Sequence, residues 1–320
     1  MRVLCATDLL PKSEAAIERA GMLAEQLKAR VSLLHVVTSP SSERVLEQEV
    51  QQSIARLRAR SRPPLWRHGS RPHIGVRIGC PAAEVANAAE QMRANLVVLG
   101  RHRARPVVDA LRGTLAGRLA TSRLSPVLIA RLEAKARYRR VLLALDLSSV
   151  SAATLRAAES LILTPQSQAS VIHAYDSSYE GALASAGLSG KSIAQFHSMR
   201  REEARAAVGD LLTVHSDDVA RYEILLRQGR PEPAIRHAVH AVRPDLLIVG
   251  TRGRGRLRQA LLGSVATQVL KWAKCDLLVV PDGSLSRGAP RLRGTHRRSR
   301  DMLPRSPSAT GLGGGTFAAY

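Results

Sequence analysis

Aromatic residues are scarce in this chain: two Trp, five Tyr and two Phe make up 3% of 320 residues. Modules that read nucleic acid by base stacking need such rings on an exposed face, so the composition argues against that mode of recognition. Cysteine is equally sparse. Cys5, Cys80 and Cys275 are scattered with no CxxC pair, which argues against a disulfide framework and a cysteine zinc site and fits a reducing compartment. There is no run of about 18 apolar residues, so no transmembrane helix is expected. The opening MRVLCATDLL lacks the apolar core and small-residue cleavage site of a signal peptide, and the expected location is the cytoplasm.

Acidic residues are the minority charge. Against 26 Asp and Glu stand 48 Lys and Arg, a formal net charge of +22 that attracts polyanions without specifying one. Part of the excess lies between Gly283 and Tyr320, where seven Arg accompany one Asp among Gly, Ser and Pro with no apolar period. Residues 283–320 are therefore expected to form a disordered basic tail. Non-specific nucleic-acid binding is the alternative that this charge keeps open. No reader module accompanies it, and nucleic acid is the disfavoured partner.

What the chain does contain is one unit written twice. VLCATDLL from Val3 and VLLALDLS from Val141 are the same phrase, so Asp8 matches Asp146; SLLHVV around His35 matches SVIHAY around His173 at the same offset of 138. Further on the offset is 150: Gly79 matches Gly229, Pro81 matches Pro231, Gly100 matches Gly250, and Gly113-Thr114 matches Gly263-Ser264. The change predicts a twelve-residue insertion in the second copy, assigned to the Ser/Gly/Ala-rich piece Asp176–Gly190. The expected units are residues 1–133 and 138–282, joined by the charged junction Lys135–Arg139.

Within each unit, short continuous apolar runs such as LVVL and LLIV alternate with helix-period segments. Ala16, Ile17, Ala20, Leu23, Ala24 and Leu27 recur at three and four behind Ser13, a candidate N-cap; Val265, Val269, Leu270 and Ala273 do likewise. Apolar runs without alternation suit strands buried on both faces. The fold class is α/β, with two doubly wound parallel-sheet domains of Rossmann-like type. Ligands of such sheets sit beyond the carboxyl ends of the strands, where the strand order reverses.

LLIVGTRGRGRLRQALLGSV, from Leu246 to Val265, has the chemistry of a phosphate cradle at such a place. Glycines let the backbone approach an anion, and a hydroxyl at a helix start adds to free N–H groups and the positive end of the helix dipole. Gly250-x2-Gly253-x9-Gly263-Ser264, with Asp146, Ser148, Ser151, His173-Ala174 and the closing LLVVP, resembles the ATP-binding universal stress proteins in both halves. The resemblance implies that Leu145 and Asp146 border the adenosine, Ala174 meets the adenine edge and Val249 and Gly250 line the ribose. It further implies that Gly253, Gly263, Ser264 and Val265 hold the phosphates of ATP, with Mg²⁺ bridging phosphate oxygens. Arg252 and Arg254 would add charge to the loop.

The first half departs from the pattern. Arg103 stands where the second glycine belongs, bringing a Cβ and a long side chain into the path of the phosphate. That half reads as a degenerate scaffold paired with the other, although Asp8, Gly100, Gly113 and Thr114 leave a weak second site open. Intramolecular pairing of the halves is expected, and a homodimer is left open as a further assembly.

Catalytic signatures are missing. Gly255–Ser264 lacks the Lys of a P-loop, and no HRD or DFG occurs. No catalytic residue and no protein metal site are therefore assigned, and the chain is expected to bind ATP rather than turn it over efficiently. Slow hydrolysis is the enzymatic alternative, with Asp146 orienting a water. His35 and His173, at strand ends, read as satisfying local backbone groups; His237 and His240 read as surface residues for want of a third ligand. Cys275 reads as a small buried hydrophobe, and Trp272 as packing in the core or between the halves.

Overall fold

The computed structural model describes residues 1–38, 42–61, 66, 71–100, 125–175, 189–251 and 262–282. The expectations for Gly113, Thr114, Arg103, Arg252, Gly253, Arg254 and the tail 283–320 lie outside the described residues. In chain order the first half runs β1 (Arg2–Ala6), α1 (Glu14–Leu27), β2 (Arg30–Val37), α2 (Glu43–Arg60), β3 (His73–Ile78), α3 (Pro81–Gln91), β4 (Leu96–Gly100) and β5 (Val127–Ala130). The second runs β6 (Arg140–Ala144), α4 (Ser149–Ala157), β7 (Gln168–Tyr175), α5 (Gly190–His215), β8 (Tyr222–Gln228), α6 (Pro231–Val242), β9 (Leu246–Gly250), α7 (Ser264–Trp272) and β10 (Asp276–Val280).

All ten strands join one sheet in the order β3-β2-β1-β4-β5-β10-β9-β6-β7-β8. Every described pairing is parallel except the central one, where β10 meets β5 antiparallel with Leu277 opposite Ile129. The apolar strands separate two cores, because successive side chains point to opposite faces. Val3, Cys5, Val98, Leu128, Leu143, Ile248 and Leu278 pack with α1 and α4 on one face. Leu4, Val97, Ile129, Leu142, Leu247 and Val279 pack with α3, α6 and α7 on the other. Each core crosses from one half into the other.

Local backbone geometry repeats with the sequence. Gly79 and Gly229 both have positive φ, 139° and 109°, and their N–H groups reach the carbonyls of Val37 and Tyr175, each at 2.9 Å. Arg93 and Arg243, 150 residues apart, both lie just past a helix in the left-handed region at φ 48°. The length difference is distributed, however. The β7–α5 link is longer than the β2–α2 link, α5 has 26 residues against 18 in α2, and the link from α5 to β8 is shorter than that from α2 to β3. The insertion expected at Asp176–Gly190 thus accounts for only part of the change, and helix lengthening for the rest.

Ser13 stands at the N-cap position of α1 but does not cap it. Its hydroxyl instead donates to Leu10 O at 2.8 Å and lies 2.7 Å from Thr7 Oγ1. The junction Lys135–Arg139 is only partly a surface link. Lys135 pairs with Glu133 in solvent, whereas Tyr138 is buried beneath the guanidinium of Arg19, 4.1 Å from the ring centroid.

Candidate functional site

Strand order reverses in the second half between β6 and β9, which lie side by side with Ala144 opposite Val249. Asp146 therefore emerges two residues beyond a strand end, next to the end of β9 at Gly250. On its other side Ala144 pairs with Ile172, so Ala174 lies at the matching level of β7. Four of the expected residues, Asp146, Ala174, Val249 and Gly250, thus converge on the carboxyl edge at the reversal point.

The turn after β6 fixes Asp146 firmly. Leu147 adopts φ 60°, a left-handed conformation that costs a non-glycine residue about 1–2 kcal/mol and bends the chain sharply. The bend lets Asp146 Oδ1 accept from the Ser148 amide at 3.1 Å, the Ser148 hydroxyl at 2.6 Å and the Ser151 hydroxyl at 2.9 Å. Leu145, which is buried, passes its carbonyl to His173 Nδ1 at 2.8 Å. A carbonyl can only accept, so Nδ1 carries the proton. The other carboxylate oxygen, Asp146 Oδ2, is buried and has no hydrogen-bond partner among the described residues. An acceptor kept from water costs free energy unless a donor reaches it.

The cradle's two ends are tied together. Gly263 donates its N–H to Thr251 O at 2.7 Å, and Thr251 in turn donates to Val280 O at 2.9 Å. Gly263 is the N-cap of α7, followed by exposed Ser264 and half-buried Val265. The N–H groups of Ser264, Val265 and Ala266 open the helix and have no intrahelical acceptor, so they present donors and the positive dipole end to whatever sits above the strand ends. Sequence reasoning missed Thr251 and Leu147. Thr251 had a signal in its place directly after the strand glycine; the strain at Leu147 left none in a leucine.

The first half repeats the turn without the same chemistry. Leu9 has φ 59°, Asp8 Oδ1 accepts from Leu10 N at 3.0 Å, and His35 Nδ1 donates to Thr7 O at 2.8 Å. Both strand-end histidines therefore serve backbone carbonyls. Yet Asp8 is exposed, and Ser13, the counterpart of Ser151, is committed to Thr7 and Leu10. Thr7 occupies the place of Leu145, and its hydroxyl draws Ser13 away from the carboxylate. Gly100 is needed for packing, since a Cβ there would stand 3.0 Å from Ser13 Cα.

Among the other residues singled out, His237 and His240 are exposed on α6, and Cys275 is buried in the second core. Trp272 is half-buried under the guanidinium of Arg236, 4.5 Å from its ring centroid, within the second half. A cavity of about 760 Å³ lies between α6 and the strands β7 and β8, lined by Arg140, Ser170, Glu223, Arg227 and His237. It runs along β8 from its start to Arg227 near its end, and none of the residues expected to bind nucleotide lines it.

The model of the universal stress protein family matches this chain twice, over residues 1–131 and 137–281. This chain belongs to the universal stress protein family. A universal stress protein of Thermus aquaticus is 42% identical over 62 residues, covering 19% of this chain and 45% of that protein. The match to a universal stress protein A-like protein of Arabidopsis thaliana, 36% identical over 58 residues, covers 33% of its length, so this chain spans less than half of these curated relatives. The solved universal stress protein of Archaeoglobus fulgidus shares the fold over 88% of this chain and 98% of its own, with TM-score 0.57 and 18% identity. As a tandem family member, this chain carries two copies of the unit. No helix among the described residues is long and apolar enough to cross a membrane.

Proposed function

We propose that the second half of this universal stress protein binds ATP, and that the bound state changes how the chain associates with its partners rather than driving efficient turnover. The observation that carries the reading is Asp146, whose Oδ1 accepts from Ser148 and Ser151 while its buried Oδ2 meets no donor among the described residues at the reversal point of the strands. A ribose hydroxyl supplies that donor. Ala174 would meet the adenine edge through its backbone, and Val249 and Gly250 would line the sugar. Gly253, Gly263, Ser264 and Val265 would hold the phosphates, with Mg²⁺ neutralising them in place of a dedicated protein cage.

Several features support this assignment over the first half. Asp8 faces solvent and Ser13 is engaged elsewhere, so the first copy serves as a scaffold. The sparse, scattered cysteines Cys5, Cys80 and Cys275 suit a reducing cytoplasmic setting. Calorimetry of the full chain with ATP and Mg²⁺ tests the reading. Asp146→Asn is expected to weaken binding by about 10- to 100-fold, the range of a hydrogen bond to a charged group. Gly263→Val should abolish binding, while Asp8→Asn and Gly113→Val leave it unchanged. No heat of binding by the native chain sinks the reading, and multiple turnovers that vanish in Asp146→Asn would make the protein an ATP hydrolase.

A further inference from the structure

We propose that Arg131, contributed by the first half, is a positioning residue for the phosphate end of α7 in the second half. The inference rests on the nucleotide reading above and extends it across the central strand pair. A helix of nine residues is marginal in isolation, and its first N–H groups point together only while the helix stays wound. α7 is held at its start by Gly263 N–H on Thr251 O. Its other end is held from outside its own half. The guanidinium of Arg131 donates through Nη2 to Leu270 O at 2.8 Å and through Nη1 to Ala273 O.

Those carbonyls close the helix and its C-terminal turn, where orphan acceptors and the negative dipole end favour a cation. A planar fork on two carbonyls fixes both the height and the rotation of the last turn, which a point charge would not do. Arg131 is itself immobilised. Its backbone N–H donates at 2.7 Å to Asp276 Oδ1, a carboxylate with no solvent exposure. The clamp therefore runs from the buried start of β10 through Arg131 to the end of α7, and along α7 to the amides of Ser264 and Val265.

The repeat supplies an independent observation. At the offset of 150 the counterpart of Arg131 is Pro281, which offers neither a guanidinium nor an N–H. The fork is thus given to the helix behind the complete glycine signature, and the matching position of the second copy carries a proline.

The test is made on the full chain with ATP and with adenosine, which lacks the phosphates. Arg131→Met should weaken ATP by about tenfold and change adenosine by less than about twofold. Arg131→Lys, able to reach one carbonyl at a time, should fall between. Hydrogen exchange in the nucleotide-free protein should speed up at the α7 amides from Gln268 onward. Parallel losses for ATP and adenosine would reduce Arg131 to a structural residue and overturn the inference; so would unchanged ATP affinity or unchanged exchange. If Arg131→Met fails to unfold cooperatively, Arg131→Lys is judged by the same split. A native chain that binds no ATP refutes the nucleotide reading before any substitution is made, and takes the phosphate-positioning role with it.

Discussion

Tyr138 donates its hydroxyl to Asp276 Oδ2 at 2.6 Å, joining the junction between the halves to the first residue of the last strand. Arg19 completes the group from α1, its Nε 3.3 Å from the same oxygen and its Nη1 donating to Ala136 O at 2.7 Å. Both charged side chains are almost wholly removed from water, at 5% and 0% exposure. Asp276 also accepts from the amides of Arg131 and Leu132, so its charge is compensated from one helix and one connecting segment.

Removing one partner of such a buried pair leaves the other uncompensated. Asp276→Ala is expected to destabilise the chain by about 3–5 kcal/mol, read as a fall in the denaturant midpoint. Combining Asp276→Leu with Arg19→Met should cost less than the sum of the single changes, because neither charge is then left alone. Additive losses would show that the two residues act independently.

Gly100 and Gly75 make a matched test of packing. A Cβ at Gly100 would meet Ser13 Cα at 3.0 Å and Cβ at 3.1 Å, so Gly100→Ala should cost about 1–3 kcal/mol by overpacking. At Gly75 the closest atom to a new Cβ is Leu34 Cδ1 at 3.6 Å, an ordinary contact. Gly75→Ala should be neutral or slightly stabilising, since alanine has less backbone freedom to lose. Thermal melts of the two variants compare them directly.

The buried acids predict alkaline sensitivity. Burial pushes the Cys5 thiol from an ordinary value near 9 up to about 12 and that of Cys275 up to about 11. Burial, reinforced by the negative charge of Asp276, also raises the Tyr138 phenol. These groups stay protonated when folded, while the unfolded chain ionises first and then holds fewer protons. Their contribution is complete below about pH 9 and falls as pH rises through the folded values, by about 1.4 kcal/mol per pH unit for each titrating group. Denaturation midpoints measured between pH 8 and about pH 11 should drop, less steeply in Cys5→Ala. At pH 8 an alkylating reagent should label exposed Cys80 in the folded chain and all three cysteines after unfolding.

Much of the architecture was legible because repetition supplied an internal control. The match of Asp8 to Asp146 and of His35 to His173 returns as identical turns, with Leu9 and Leu147 in the same strained conformation and each histidine on a carbonyl. The apolar runs became strands buried on both faces for the reason periodicity gives. What stayed hidden depends on contacts between residues far apart in sequence. Asp276 directly precedes the apolar run LLVV, and nothing near it announces Arg19, which is more than 250 positions away. Arg131 was one arginine among many until its fork met α7. Ser13 had the sequence position of a cap, but the hydroxyl of Thr7 offered it a closer partner.

The antiparallel meeting of β5 and β10 has a consequence for solubility. A sheet exposes unpaired backbone along each outer strand, and such edges template the addition of foreign strands. Two separate sheets would have four edges, two of them formed by VLIA and DLLVV; the joined sheet has two, at β3 and β8. The remaining edges carry His73 and Arg77 on one side and Glu223 and Arg227 on the other, side chains that discourage stacking by a neighbour. Parting the halves would expose two apolar strand edges, so the junction residues guard against aggregation as well as unfolding.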